Sequence, residues 1–129
     1  MKLLTEKQVE VLQMRAGGSP VKEIAFVLQK SESAINEHIK AAQKRLEARN
    51  PVHTLALAIA FGEVDVESDD KDLILEMADL EEEVHHLGLA DLSDMFIDAL
   101  PEQLSREMRM AYIHSMRNLI RLREQGPNS

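Results

Sequence analysis

Hydrophobic positions in the first half of the chain recur at helical spacing and are separated by turn residues. Thr5, followed by Gln8 three residues later, matches a capping box, so a helix is predicted to begin there and to end at Gly17-Gly18. Pro20 suits the first turn of a second helix over about 20–28. The opening of the chain therefore predicts two short helices joined by a glycine turn.

The third predicted helix has two different faces. Ser31 is a good N-cap for it, and apolar residues then recur every three or four positions from Ile35 to Leu46. The opposite face is polar and basic. Two helices joined by about three or four residues, the second with a basic outer face, are typical of a helix-turn-helix that places its second helix in the major groove of DNA.

A fourth helix is predicted over 52–61. Asn50-Pro51 supplies its cap and first turn, and Gly62 ends the apolar run. His53 is interpreted as an exposed residue in the first turn of this helix.

The second half of the chain predicts three more amphipathic helices, over about 71–87, 90–100 and 102–124. In the first of them, apolar residues from Leu73 to Leu87 alternate at spacings of four and three, a short heptad seam that requires a partner helix. The preceding stretch, 63–71, is acidic and lacks helical periodicity, so it is interpreted as a linker or a loosely ordered strand.

These elements, with only five Gly and four Pro in 129 residues, predict an all-α fold. A four-helix domain is expected over 1–64. An acidic helical module that dimerises the chain or binds a partner is expected over 65–129.

Charge divides the chain at Gly62. Residues 1–62 hold nine Lys and Arg and six Asp and Glu, a net charge of +3, whereas residues 63–129 hold six and seventeen, a net charge of −11, and the sum is −8. Such asymmetry indicates a nucleic-acid module joined to something else. The acidic stretch 63–98 has three interpretations: a solvated face, a surface for RNA polymerase or an activator, or an autoinhibitory mimic of DNA that lies on the basic helix.

Other chemistry finds little support in the residue types. The chain has no Cys, which excludes disulfides and thiol nucleophiles, and no apolar run reaches about 18 residues, the length of a membrane span. Glu81 and Glu82 precede His85 and His86 by four residues, a spacing that can chelate a metal, but nothing closes the coordination shell. No metal, no cofactor and no enzymatic activity are expected, and the expected compartment is the cytoplasm.

Several segments resemble the LuxR-type (GerE-like) helix-turn-helix domain. They are Leu-Thr-Glu-Lys-Gln-x-Glu-Val-Leu at 4–12, Lys-Glu-Ile-Ala at 22–25, Ser-x-x-x-Ile-x-x-His-Ile at 31–39, Lys-Arg-Leu at 44–46 and Ala-Arg-Asn at 48–50. The resemblance runs without gaps over about 4–62, and the tail after Asn50 is similar to the quorum-sensing branch of the family. It does not extend into the C-terminal half.

The resemblance implies a transcription regulator that binds double-stranded DNA as a homodimer, with a recognition helix at about 32–46 in the major groove. By this resemblance Lys22 would touch phosphate, and Ala34 and Asn36 would lie in the turn that reads bases. The candidate DNA-binding residues are Lys22, Ser33, Ala34, Asn36, Glu37, Lys40, Lys44 and Arg45.

The resemblance also places the fourth helix at a dimer interface, to which the apolar stripes of the later helices are added. The candidate dimer-interface residues are Leu55, Ala56, Ile59, Leu73, Met77, Leu80, Val84, Met108, Tyr112 and Leu119. The C-terminal helices are further candidates for binding a protein partner, either another LuxR-type regulator or RNA polymerase.

A second function stays open. Ala34 and Asn36 depart from the residues common in the family, and Glu32 and Glu37 put acids near the DNA face. These departures favour an antiactivator, an interaction protein that binds another LuxR-type regulator through a helix-turn-helix scaffold and binds DNA weakly or not at all.

Overall fold

The computed structural model describes residues 3–92, 95 and 106–125, and every regular element in these ranges is a helix. The helices are α1 (Glu6–Ala16), α2 (Val21–Leu28), α3 (Glu32–Arg45), α4 (Pro51–Ala60), α5 (Ser68–His86) and α6 (Arg106–Gln125). The all-α prediction is therefore confirmed. Residues 90–92 and 95 are also helical, but the rest of the helix predicted over 90–100, and the start of the one predicted over 102–124, lie outside the described residues.

The predicted helix starts are confirmed by their caps. The Gln8 amide donates to the Thr5 hydroxyl at 3.2 Å, and the Thr5 amide donates to the Gln8 side-chain oxygen at 3.0 Å, which completes the capping box. The Ser31 hydroxyl accepts from the Ala34 amide at 3.0 Å at the start of α3. Each such cap satisfies an amide that has no partner inside its helix.

The turn between α2 and α3 is tight because Gln29 adopts a left-handed conformation, with φ 55°. The Lys30 amide then donates back to the Ala25 carbonyl at 2.9 Å. A small apolar cluster holds the two helices together and onto α1: Val11, Ile24, Ala25, Ile35 and Ile39. The helix-turn-helix angle is thus set by packing as well as by the turn.

A second, larger core joins the two halves of the chain. Leu12, Leu46 and Leu55 from the N-terminal half belong to the same buried cluster as Met77 and Tyr112 from the C-terminal half. Helix α4 packs on α5, and α5 packs along α6. The division at residues 64/65 remains a prediction about sequence units, since the structure shows one shared core across it.

The interpretation of 63–71 as a linker or strand is wrong from Ser68 onward, whereas 63–67 form a short non-helical connection. Helix α5 already begins at Ser68, and Val64 is buried in the large core. The Glu63 carboxylate accepts from the Leu3 and Leu4 amides at 2.6 and 2.9 Å. The connection is short and is held to the beginning of the chain.

The buried line of α5 differs from the predicted seam. The residues with the least exposure are Asp70, Ile74, Met77, Glu81 and Val84, at spacings of four, three, four and three. Leu73 and Leu80, two members of the predicted seam, are half-buried beside this line. The heptad spacing was predicted correctly, but its register places two carboxylates inside the protein.

The first of these carboxylates, Asp70, faces a fully buried arginine. Arg109 of α6 is 0% exposed. Its guanidinium donates to the Ala16 carbonyl at 2.8 Å and to the Arg15 carbonyl at 2.7 Å, and lies 3.5 Å from the Asp70 carboxylate. These carbonyls form the negative end of the α1 dipole, so the cation stabilises a helix terminus and a carboxylate together.

The second carboxylate, Glu81, is also 0% exposed and is held by Arg49. The Arg49 guanidinium, in the turn between α3 and α4, donates to both Glu81 oxygens at 3.2 and 3.3 Å. His85 lies 3.5 Å from the same carboxylate. This two-pronged geometry is the strong form of the Arg–carboxylate interaction, and it fixes α5 to the helix-turn-helix domain.

His53 is not the exposed residue that the sequence suggested. It is half-buried, and its Nδ1 accepts a hydrogen bond from the Arg49 amide at 3.0 Å. Burial lowers the pKa of His53, and the Arg49 cation lowers it further, against the opposing effect of Glu81 and Glu82. The neutral imidazole is therefore the form that the fold selects.

The Arg109→Met variant tests the buried cation. It leaves the Asp70 carboxylate and the α1 carbonyls without the guanidinium, and breaking a buried charged pair of this kind lowers the free energy of unfolding by about 3–5 kcal/mol. Urea denaturation followed by circular dichroism measures the loss. The matched control is Arg117→Met, which removes an exposed α6 arginine paired with Glu76 and is expected to cost under about 1 kcal/mol. Equal losses in the two variants would contradict the assignment.

The His53→Asn variant tests the neutral imidazole. Folding lowers the pKa of His53, so below about pH 6.5 the unfolded chain binds more protons at this residue than the folded chain does. The stability that the neutral His53 contributes is therefore present above pH 6.5 and is lost as the pH falls to the lowered pKa of the folded state. Asparagine retains an acceptor for the Arg49 amide but does not titrate. The unfolding free energy of the variant should fall less steeply than that of the wild type between about pH 7.5 and about pH 5. His86→Asn makes the same substitution at an exposed histidine of α5 and is the matched control.

Candidate nucleic-acid interface

Helix α3 presents one continuous polar face to solvent. Ser33, Asn36, Glu37, Lys40 and Lys44 follow one another at spacings of one, three or four along it, and all are exposed. Residues three or four apart on a helix lie on the same side. We call this side the recognition face. This face extends over several turns of α3, which is long enough for it to lie along a groove of DNA.

The recognition face is turned outward because the residues on the opposite side of α3 are buried in the two cores. Ile35 and Ile39 enter the small cluster with α1 and α2, whereas Ala42 and Leu46 enter the large core. An apolar stripe of this kind fixes the rotation of a helix about its own axis. The sequence pattern predicted this rotation correctly.

The remaining predicted DNA-binding residues lie at the borders of the recognition face. Ala34 is half-buried in the first turn of α3, Arg45 is exposed in the last turn, and Lys22 is exposed in the first turn of α2. The structure thus displays all eight predicted residues on α3 and on the start of the helix that precedes it. Their assignment as DNA contacts stays a prediction.

The electrostatics of the recognition face are mildly favourable to an anion. Within α3, Lys40, Lys44 and Arg45 oppose Glu32 and Glu37, which leaves a net charge of +1. The three cations occupy the C-terminal half of the helix. Two of them, Lys40 and Lys44, line a shallow groove together with Gln43, Glu47 and Ala48. Among the residues that the structure describes, none of the three forms an ion pair with another, so their charges are available to a phosphate backbone.

The acidic helix does not cover the recognition face. Helix α5 contacts α1, α4 and α6, and the described helices show no contact between α5 and α3. Its acidic side chains instead face solvent or pair with Arg49, Arg109 and Arg117. A direct shield over the DNA-binding side, one of the three interpretations of the acidic stretch, is therefore not formed by α5.

The predicted dimer residues are brought together within one chain. Leu55 and Ile59 of α4 are buried where α5 packs, and Met77, Val84 and Tyr112 are buried in the same core. The others are buried or half-buried around them: Ala56, Leu73, Leu80, Met108 and Leu119. That they form a homodimer interface stays a prediction. Within the one chain described, most of them belong to the large core or pack against it.

In the histidine pair of α5, His85 lies 3.5 Å from Glu81. Glu81 is engaged by Arg49, and His86 lies 3.9 Å from Glu82. In the described ranges, no group of three or more His, Cys, Asp or Glu side chains has the arrangement of a metal site. In the same ranges, no helix is long and apolar enough to cross a membrane.

Four residues form the ion pairs that hold the helices together, and the sequence did not predict that they pair: Arg49, Asp70, Glu81 and Arg109. A signal existed for three of them. Asp70 and Glu81 share helical spacing with Ile74, Met77 and Val84, and Arg109 lies three and four residues before Tyr112 and Ile113. A charged residue in register with a buried stripe indicates a buried ion pair. For Arg49 we find no such signal.

Comparison with known proteins agrees with this geometry. Residues 2–58 match the family described as bacterial regulatory proteins, luxR family. The chain is 41% identical over 59 residues to the HTH-type quorum-sensing regulator RhlR of Pseudomonas aeruginosa, a match that covers 46% of this chain and 24% of that protein. The chain thus spans about a quarter of the curated relative it matches. No solved structure matches it. The family inferred from the sequence segments is the family that matches.

Proposed function

We propose that the chain, whose residues 2–58 form a LuxR-family helix-turn-helix domain, is a transcription regulator that binds double-stranded DNA through α3. The observation that carries this proposal is the recognition face. It is polar and exposed and carries Lys40 and Lys44, which form no ion pair within the described part of the chain, while the other side of α3 is buried. A helix of this shape fits the major groove, where each base pair shows a distinct pattern of donors and acceptors. The matching family is one of regulatory proteins and not of enzymes.

The two halves of α3 have different roles in the proposed complex with DNA. Lys40, Lys44 and Arg45 in its second half supply phosphate contacts, and Lys22 adds one from α2. Asn36, exposed near the N-terminal end of α3, is the proposed base reader, since an Asn amide can form a bidentate pair with adenine. Phosphate contacts position a protein on DNA, whereas base contacts select the sequence.

The biological setting follows from the same relationship. Because the matched relative is a quorum-sensing regulator, we place the chain in regulation of that type, acting in the cytoplasm on promoter DNA without a cofactor. The resemblance also implied a homodimer. The α4 residues expected to form it, Leu55, Ala56 and Ile59, are buried within the chain, so a dimer through these side chains would require a packed helix such as α5 to move away.

A second candidate function is supported by an exposed apolar patch on α2. Phe26 is 82% exposed, and Val27 beside it lines a groove with Val9, Met14 and Leu28. Exposed aromatic surface of this kind is typical of protein contacts. It supports the antiactivator hypothesis, in which the scaffold binds another LuxR-type regulator in place of DNA.

Removal of two recognition-face cations should weaken binding in a salt-dependent way. Fluorescence anisotropy of the full chain on mixed-sequence duplex DNA gives the affinity at several salt concentrations. In the Lys40→Ala/Lys44→Ala variant, each lost phosphate contact lowers the slope of log affinity against log salt by about 0.9. Lys71→Ala, at an exposed lysine of α5, is the matched control and should leave the slope unchanged. A folded wild-type chain that binds no duplex at low salt would overturn the proposal and favour the antiactivator.

Removal of the Asn36 amide should change which sequences are bound. Selection of binding sites from a random duplex library is expected to give a motif with the wild-type chain. With Asn36→Ala, discrimination at one position of that motif should fall by about 1–3 kcal/mol, while the salt dependence stays the same. Gln13→Ala, which removes an exposed side-chain amide of α1, is the control and should give the wild-type motif. An identical motif for Asn36→Ala and the wild type would show that Asn36 is not a base reader.

A further inference from the structure

We propose that the groove between α1 and α2 binds an amphipathic helix of a partner protein, a helix whose apolar side is flanked by lysine or arginine. This inference rests on the second candidate function, a protein contact made through α2, and it names the chemistry of the partner. We call the site the α1–α2 groove. The residues that line it are Glu6, Val9, Glu10, Gln13, Met14, Val27 and Leu28.

The α1–α2 groove has the size and shape of a site for a helix. Its volume is about 470 Å³, within the range of concave ligand sites in proteins. The five lining residues of α1, from Glu6 to Met14, follow one another at spacings of one or three positions. They therefore lie along one side of α1 over about 12 Å of its length. An amphipathic helix fills such a groove with apolar side chains three, four and seven positions apart.

The floor of the groove is apolar and partly open to solvent. Val9, Met14 and Leu28 are half-buried, whereas Val27 is 55% exposed. Phe26 lies next to Val27 and is 82% exposed, the largest exposed fraction of any large apolar residue in the described ranges. Adjacent apolar side chains exposed beside an apolar groove mark a contact surface, unlike apolar residues scattered singly over a protein. A partner that covered both would remove their apolar area from water.

The rim of the groove is acidic, which determines the charge of the partner. Glu6 and Glu10 are exposed, and no Lys or Arg is among the described residues that line the groove. Lys7, in the same turn of α1, has its Nζ 3.4 Å from a Glu10 carboxylate oxygen, but both side chains of this pair are exposed. Because an exposed pair of this kind contributes little to stability, a cation of the partner can replace Lys7 at Glu10. Glu6 offers a carboxylate to a second cation.

The same acidic rim argues against an occupant from this chain and against DNA. Residues 96–105, the longest stretch outside the described residues, contain Asp98 and Glu102 and no Lys or Arg. Like charges repel, so neither this stretch nor a phosphate backbone suits the rim. The groove also shares no residue with the recognition face. A separate protein with a basic amphipathic helix is the occupant that matches both the apolar floor and the carboxylates.

Two labelled model peptides of about 18 residues test the charge of the partner. One has leucines spaced by three and four positions along one side, with lysines flanking that side, and the matched peptide has Glu in place of each Lys. Fluorescence anisotropy with the full chain gives both affinities in the absence of DNA. The lysine peptide should bind at least about tenfold more tightly at low salt, and the difference should shrink as salt rises. Equal affinities, or no binding of either peptide, would overturn the proposal.

A pair of apolar variants tests whether the peptide lies in the groove. Phe26→Ser/Val27→Ser removes the two exposed side chains and should weaken binding of the lysine peptide by at least about tenfold. Met110→Ser/Leu122→Ser, at exposed apolar residues of α6, is the matched control and should leave the affinity unchanged. With folding checked by circular dichroism, an unchanged affinity of the α2 variant would place the peptide elsewhere and contradict the groove assignment.

A pair of charge variants tests the acidic rim. Glu6→Gln/Glu10→Gln should weaken binding of the lysine peptide by about threefold or more and reduce its salt dependence. The control, Glu82→Gln/Glu83→Gln, makes the same change at exposed acids of α5 and should behave as the wild type. Equal losses in the two variants would show that the peptide responds to the overall negative charge of the chain and not to the groove.

Binding of the full chain to a purified LuxR-type regulator separates this inference from the second candidate function. If Phe26→Ser/Val27→Ser binds that regulator as tightly as the wild type does, the antiactivator candidate stands and the groove assignment fails. If the lysine peptide binds at the groove and no regulator binds, the antiactivator candidate fails and the groove assignment stands. Sedimentation velocity gives the remaining outcome: a wild-type dimer that the same α2 variant abolishes would make a second copy the occupant and would overturn the proposal of a separate partner.

Discussion

The arrangement of this protein depends on a guanidinium group placed inside its core. Arg109 of α6 reaches the C-terminal carbonyls of α1 and the Asp70 carboxylate of α5, so one side chain touches three helices. A buried cation is tolerable only where carbonyl dipoles and a carboxylate replace the water it has lost. That requirement leaves a single relative position for α1, α5 and α6. The covering of α4 follows from the core that these helices enclose, whereas the outward orientation of α3 is also set by the small cluster that it forms with α1 and α2.

Both buried carboxylates of α5 occupy core positions of a heptad-like line, and each is matched to an arginine outside its own helix. Such pairs add little stability compared with well-packed apolar side chains, but a polar group in a helical seam specifies register. An α5 shifted by one residue would bring Asp70 and Glu81 away from Arg109 and Arg49 and would leave charges unpaired. The apolar residues provide most of the driving force for docking, and the charged pairs decide where the helices dock.

The N-terminal half was predictable because its signals are local. Thr5, Ser31 and Asn50 form caps with amides three residues away, and the stripe from Ile35 to Leu46 sets the rotation of α3. The docking of the C-terminal half was not predictable in the same way. Arg49 and Glu81 are 32 positions apart and Arg109 is 93 positions from Ala16, and no periodicity relates them. The predicted stripe on α4 was correctly identified as a packing surface, but apolarity alone does not distinguish a partner in the same chain from a second copy.

The separation of 93 positions between Ala16 and Arg109 has a consequence during synthesis. A chain is made from its N-terminus, so α1 to α4 can fold before α6 has left the ribosome, because their contacts are short in sequence. Until then the apolar side of α4 and the carbonyls at the end of α1 lack the partners they have in the finished protein. A nascent chain paused after α4 would expose the apolar surface that α5 covers in the folded protein. The emergence of α5 thus ends the period in which neighbouring nascent chains can associate through α4, and α6 then brings the Arg109 cation to the α1 carbonyls.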